Sequence, residues 1–194
     1  MTEKSKLPKH NKDIYGVYIP SMLTMKVTLN ITEIGKNVKQ NLERSISKQT
    51  EGKCIAEGFI KPNSVKVFSY SAGMINGDNV QFQTMYECMV CHPVEGMLIE
   101  CQTKTITKAG VHAEVIDDNG IVPLTIFVAR DHHRTEKAFA TIKENAKINI
   151  RVIGIRYELN DPYISVIGKL VESGDTTRGG DYQPIRQPIT ILED

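Results

Sequence analysis

The chain has no tryptophan, and with five Phe and seven Tyr its aromatics make up only 6% of 194 residues. So few rings leave little for a surface that would bind nucleic acid by stacking alone. Long apolar runs are also missing. The longest, 121–129, is broken by Pro123 and Thr125 and is far too short to cross a bilayer. The first residues, Met1 to Asp13, are polar and Lys-rich with no apolar segment, so no signal peptide is expected. Four cysteines without a secretory leader point to free thiols in a reducing, intracellular compartment. Charge of one sign is lacking too: the net value is +1, so no global basic field announces nucleic acid. The distribution is uneven, with 12 basic against 8 acidic residues in 1–92.

Motifs for chemistry are equally sparse. There is no phosphate-binding GxxxxGK[ST]; the nearest string, Lys104–Gly110, has no cradling glycines. Neither GxSxG nor HExxH occurs. Cys88, Cys91 and His92, with Cys101 further on, form the one candidate zinc set. A tetrahedral site needs four converging ligands, usually from a CxxC on a tight turn. Cys88 instead sits in an alternating strand, where i and i+3 face opposite ways. Buried structural thiols are the simpler reading, and no metal or cofactor is expected. His132-His133 after Asp131 reads as a helix start with exposed imidazoles. The chain is not expected to be an enzyme by itself.

What is present is patterning. Residues 1–14 read as a disordered arm. Residues 25–31 (MKVTLNI) alternate with period two and predict a half-buried strand. Thr32 offers an N-cap, and Ile34, Val38, Leu42 and Ile46 make the buried stripe of an amphipathic helix of about four turns. Strand-like runs follow at 53–60, 64–70 and 79–90, with Asn76-Gly77 as a hairpin signal. Residues 15–92 therefore predict an α+β domain with a helix on one sheet face.

Pro93 marks a change. Strands are predicted at 95–107, 111–116 and 124–129, with a turn at Asp118-Asn119-Gly120, then a helix over 130–146 with Ala138, Phe139 and Ile142 on one face. Strands at 147–157 and 163–171 close the set, and Gly110, Gly154 and Gly168 suit a coiled barrel. Three strands, a helix and two strands is the order of the five-stranded OB barrel with its plug helix. Residues 93–172 form this second domain, and 173–194 read as a flexible tail. Such a barrel holds single-stranded nucleic acid with cations and a few rings. The candidates are Lys104 and Lys108 at the first strand, His112 on the second, Arg130 after the third, and Arg156 and Tyr157 ending the fourth.

The order of parts resembles the stalk subunit of multi-subunit DNA-directed RNA polymerase, the family that includes the seventh subunit of RNA polymerase II and its archaeal counterpart. MKVTLNI, the helix NVKQNLERSI and Glu51-Gly52-Lys53-Cys54 match the first domain, and Pro93-Val94-Glu95-Gly96 resembles the inter-domain junction. Residues 107–111, 123–133 and 157–163 are most similar to the versions of large DNA viruses. The resemblance covers about 15–172. It implies a tip domain docked between the largest and second-largest polymerase subunits and a small core subunit, and a barrel that contacts nascent RNA or transcription factors. A second stalk subunit is a further candidate partner. The implied docking edge is Glu51, Gly52, Lys53 and Cys54 with the Ile60-Lys61-Pro62 loop. A viral version would work in the host cytoplasm and be a candidate for packaging in the virion. A free-standing OB protein of translation or RNA decay is the alternative.

Overall fold

A computed structural model describes residues 16–133, 139 and 142–171. The expected arm and tail lie outside these residues. The first part is an antiparallel sheet centred on one long strand. β1 (Tyr18–Asn30) leads through a 3-10 turn (Ile31–Glu33) to helix α1 (Val38–Thr50), then β2 (Cys54–Ile55), β3 (Gly58–Ile60), β4 (Lys66–Tyr70), β5 (Met74–Asn76) and β6 (Asn79–Cys91). β6 pairs with β1 along one edge and with β5, β4 and β3 in succession along the other.

Alternation explains the layering. Val80, Phe82, Tyr86, Cys88 and Val90 of β6 join Val27 and Leu29 of β1 in a core that Leu42 and Ile46 of α1 cover. Of the predicted stripe Leu42 and Ile46 are buried on the helix, Val38 in its first turn is half-buried, and Ile34 precedes it, so the start of the helix differs from the sequence reading. Asn30, rather than Thr32, is the cap: its side chain accepts from the Thr32 amide while the Glu33 carboxylate accepts from the Asn30 amide. That capping box serves only the 3-10 turn, and α1 begins after Gly35 and Asn37. β1 also starts seven residues before the predicted strand, because pairing with β6 continues to Cys91. The hairpin turn consists of Gly77 and Asp78, with positive φ at Gly77 but not at Asn76.

The second part is a closed barrel of β7 (Leu98–Ile106), β8 (Gly110–Val115), β9 (Leu124–Ala129), β10 (Lys147–Arg156) and β11 (Ile164–Leu170). The order β7-β8-β9-β11-β10, closed by β10 on β7 with β9 and β11 parallel, is the OB arrangement. In the 116–123 loop, the Asp117 carboxylate accepts from the amides of Asn119 and Ile121 at 2.9 Å each.

Of the predicted plug helix, Arg130–His133 form a 3-10 turn and Phe139 is helical and buried. Residues 134–138, 140 and 141, Ala138 among them, lie outside the described residues. His133 corrects the expectation of exposed imidazoles: it is 3% exposed. Its Nε2 accepts from the Leu170 amide, so its Nδ1 carries the hydrogen toward the Ala129 carbonyl. The ring stacks on Phe139, and the pair closes one end of the barrel.

Candidate docking and nucleic-acid interface

The two parts meet in a buried seam. Cys54, Phe59 and Cys91 leave the tip sheet and join the cluster of barrel residues around Ile99, Cys101 and Ile150. Backbone bonds close the joint: the Cys54 amide donates to the Asp161 carbonyl and the Asn160 amide to the Cys54 carbonyl, both at 2.8 Å. The Tyr157 hydroxyl donates to the Ala56 carbonyl at 3.0 Å. Tyr18 donates to Asp117 at 3.3 Å, and Lys61 lies over the Tyr18 ring and 4.0 Å from the same carboxylate. Burial, with Asp117 beside it, pushes the Tyr18 phenol well above its ordinary range, so it stays a hydrogen-bond donor.

These contacts sort the residues assigned to the docking edge. Cys54 and Ile60 are fully buried, so their side chains serve the interior. The Glu51 carboxylate accepts from the Ser64 and Val65 amides and holds the 61–65 loop against the end of α1. The Gly52 amide donates to the Ile60 carbonyl. Lys61 is committed to Tyr18 and Asp117. Gly52 is exposed, and Lys53 and Pro62 are half-exposed; these three present this edge to solvent.

The nucleic-acid candidates divide into two groups. Lys104, His112, Lys108 and Arg130 share the outer face and one end of β7, β8 and β9. Lys104 is the bulge residue between Thr103 and Thr105 and pairs with Glu114 at 3.2 Å. Lys108 lies on the turn from β7 to β8. Arg130 reaches toward the Thr107 carbonyl and the face of Phe139. Arg156 and Tyr157 lie at the opposite, tip-proximal end. Arg156 pairs with Glu158 at 3.4 Å, and Tyr157 belongs to the seam.

Phe127 is a further candidate, which sequence reasoning misses. Residues 124–129 read as a buried strand, yet their burial alternates, and Phe127 turns outward beside His112 with ring centroids 4.8 Å apart. The signal is present, since Thr125 and Phe127 are the outward members of an alternating run.

The thiols occupy different interiors. Cys88 lies in the tip core and Cys91, Cys101 and Cys54 in the barrel-side cluster, while His92 is exposed. Among the described residues no three His, Cys, Asp or Glu side chains are placed to hold a metal ion. Burial pushes the Cys91 and Cys101 thiols up to about 12, with Cys54 and Glu100 respectively adding to it. No helix among the described residues is long and apolar enough to cross a membrane.

Known proteins are similar to this chain in sequence. No family model matches the chain. A protein of Acanthamoeba polyphaga mimivirus, named as a DNA-directed RNA polymerase subunit, is 24% identical over 172 residues, covering 81% of this chain and 83% of its own length. The RPB7 subunit of DNA-directed RNA polymerase II from Glycine max is 22% identical, covering 72% of this chain and 85% of its own. Subunit 7 from Arabidopsis thaliana is likewise 22% identical, covering 71% and 84%. The chain is thus similar over most of its length to RNA polymerase II subunit 7 of two plants and to a mimivirus protein named as an RNA polymerase subunit. These polymerase proteins match it over most of their length, so the likeness covers the sheet and the barrel together.

Proposed function

We propose that this chain is a non-catalytic stalk subunit of a DNA-directed RNA polymerase. One observation carries the reading: similarity to a polymerase protein spans 81% of the chain and so includes both the tip sheet and the barrel. The tip domain docks on the polymerase core, against the two largest subunits and a small one, with Gly52, Lys53 and Pro62 as the exposed part of the docking edge. The outer face of β7, β8 and β9 meets nascent single-stranded RNA or a transcription factor. There Lys104, Lys108 and Arg130 track phosphates, and His112 with Phe127 offers a stacking surface. One ring pair and three cations make this binding weak in isolation and salt-sensitive. Catalysis belongs to the large subunits. In a viral setting the protein works in the host cytoplasm.

Affinity purification of the tagged chain from its native setting tests the assignment. Stoichiometric recovery of two very large polymerase subunits at moderate salt is the expected result, and Lys53→Glu should reduce it. Recovery of RNA alone, or of ribosomal or nuclease partners, would overturn it in favour of a free-standing RNA-binding protein.

A further inference from the structure

β1 is the last strand on its side of the tip sheet and pairs only with β6 among the described residues. Which of its backbone groups are left over follows from the register. The Ile31 amide donates to the Asp78 carbonyl, and the pairing then runs without a shift from Asn30 opposite Asn79 to Tyr18 opposite Cys91. Hydrogen-bonded pairs alternate along an antiparallel ladder. The odd-numbered residues of β1 therefore bond to β6, and the even-numbered ones turn N–H and C=O outward. The Asn30 amide agrees, since it points away from β6 to the Glu33 carboxylate. Pro20 has no N–H. The open edge is thus bounded at both ends, by Pro20 and by the capping box. Between them stand Met22, Thr24, Lys26 and Thr28, over about 20 Å of extended chain.

Long edges are ordinarily blunted by charges, bulges or brevity. This strand has 13 residues, no bulge, and one charged side chain, Lys26. Its margin is apolar on the helix side and mixed on the open side, where Met22 stands with Thr24, Lys26 and Thr28. On the helix side Leu23 and Met25 are half-buried beside the tip core, which Ile34 and Val38 also flank. On the open side Met22 is 51% exposed and Met85, opposite Thr24, is 39% exposed.

We propose that the outer edge of β1 takes an extended segment of a partner polymerase subunit as an added strand, bonded to the backbone of Met22, Thr24, Lys26 and Thr28. This rests on the polymerase reading. An array of alternating N–H and C=O groups matches an extended backbone, and a margin apolar on the helix side and mostly polar on the open side matches a segment with apolar side chains on the helix side alone. Its residue facing Lys26 is acidic or neutral. A second copy fits worse. Antiparallel self-pairing across this window sets Thr24 against Lys26 of the other copy, and leaves the two Lys26 ammonium groups as diagonal neighbours on one face.

Residue-resolved amide exchange on the full chain, alone and within the purified polymerase, tests this together with co-purification of variants. In the free chain the amides of Met22, Thr24, Lys26 and Thr28 should exchange at least 100-fold faster than those of Leu23, Met25 and Val27. In the assembly they should slow by at least 100-fold. Thr24→Pro removes no bond to β6 and should fold with an unchanged circular dichroism spectrum, yet recover polymerase subunits at least tenfold less well. Thr24→Ala keeps the amide and should recover them normally. Lys26→Glu, with an intact backbone, should also weaken recovery. Slow even-numbered amides in the free monomer would give the edge to another segment of this chain and overturn the proposal, as would protection that grows with concentration through self-association. Fast even-numbered amides in an assembly that does contain the chain would overturn it while leaving the polymerase reading standing. If no polymerase subunit is recovered at all, both fall.

Discussion

In the barrel every strand has two neighbours, because β10 returns to β7 and the parallel pair β9 and β11 completes the circuit. Among the described residues of the tip sheet, β1 has one neighbour and one face carries a helix. The barrel packs its core inside and presents His112, Phe127 and cations at one end, with Leu98, Leu159 and Ile167 also exposed. The sheet leaves backbone groups, Met22 and Met85 in the open. A closed barrel has no edge to offer another chain, whereas an open sheet offers both an edge and a face. Under the proposed function, nucleic acid falls to the first and protein to the second. The seam through Cys54, Phe59 and Cys91 makes the two surfaces parts of one body.

The largest effect is expected where the seam is tightest. A Cβ on Gly58 would stand 2.3 Å from the Cys91 carbonyl oxygen, and its φ of 133° is one that side chains rarely adopt. Gly58→Ala should cost about 3 kcal/mol or more, overpacking and backbone strain together. A Cβ on Gly110, in the barrel, would stand 2.4 Å from the Val128 carbonyl oxygen without the unusual φ. Gly110→Ala should cost less, about 1–3 kcal/mol. Urea unfolding followed by circular dichroism checks both. Because the parts share buried residues, each variant should move a single transition; two transitions would break the picture of one body.

Alkali probes the barrel-side cluster next. Cys91 and Cys101 are held near about 12 in the folded state against an ordinary 9. A thiol raised in this way contributes its full stability below pH 9, and that contribution is lost as pH rises through 9 toward 12. The loss approaches about 1.4 kcal/mol per pH unit for each thiol. The urea midpoint should be unaffected by these thiols up to about pH 9 and fall above it, and Cys101→Ala should fall less steeply. A midpoint as flat in the parent as in the variant up to about pH 10.5 would show that the thiols ionise without unfolding.

Much of this was legible in the residues. Period-two runs mark β4, β6, β8, β10 and the second half of β1, and Val38, Leu42 and Ile46 mark the helix face, because burial on one side imposes a period. What the sequence hid was pairing. β1 extends to Tyr18 through its partner β6, and nothing local in 18–24 says so. The helix start moved because Asn30 and Glu33 satisfy each other, a reciprocal bond that outcompetes a cap at Thr32. His133 is buried because the chain end of β11 supplies the Leu170 amide, 37 residues away. Two of the six nucleic-acid candidates, Arg156 and Tyr157, stand at the other end of the barrel from the rest, since strand order alone does not say which loops lie beside the tip.

That division can be sharpened at the rings. Phe127→Ala should weaken binding of single-stranded RNA by about 1–3 kcal/mol if one base stacks there. Lys108→Ala should weaken it while lowering the salt dependence. Arg156→Ala should leave it unchanged. Fluorescence anisotropy with a labelled oligonucleotide at two salt concentrations measures all three. Equal losses for Phe127 and Arg156 would return the interface to both ends of the barrel.

The smallest effect separates seam from surface. Tyr157 is a stacking candidate by sequence, but its hydroxyl donates to the Ala56 carbonyl across the joint. Burial also raises its pKa, with Cys54 and Glu57 adding to the shift. Tyr157→Phe keeps the ring and deletes that one donor. A ring that stacks on RNA would tolerate the change, because stacking needs the ring face and not the hydroxyl. A ring that ties barrel to sheet would lose about 0.5–1.5 kcal/mol of folding stability, the net worth of an ordinary hydrogen bond. RNA affinity should therefore stay the same while the urea midpoint falls. An unchanged midpoint would mean that the backbone pairing of Cys54 with Asn160 and Asp161 holds the seam without help from Tyr157.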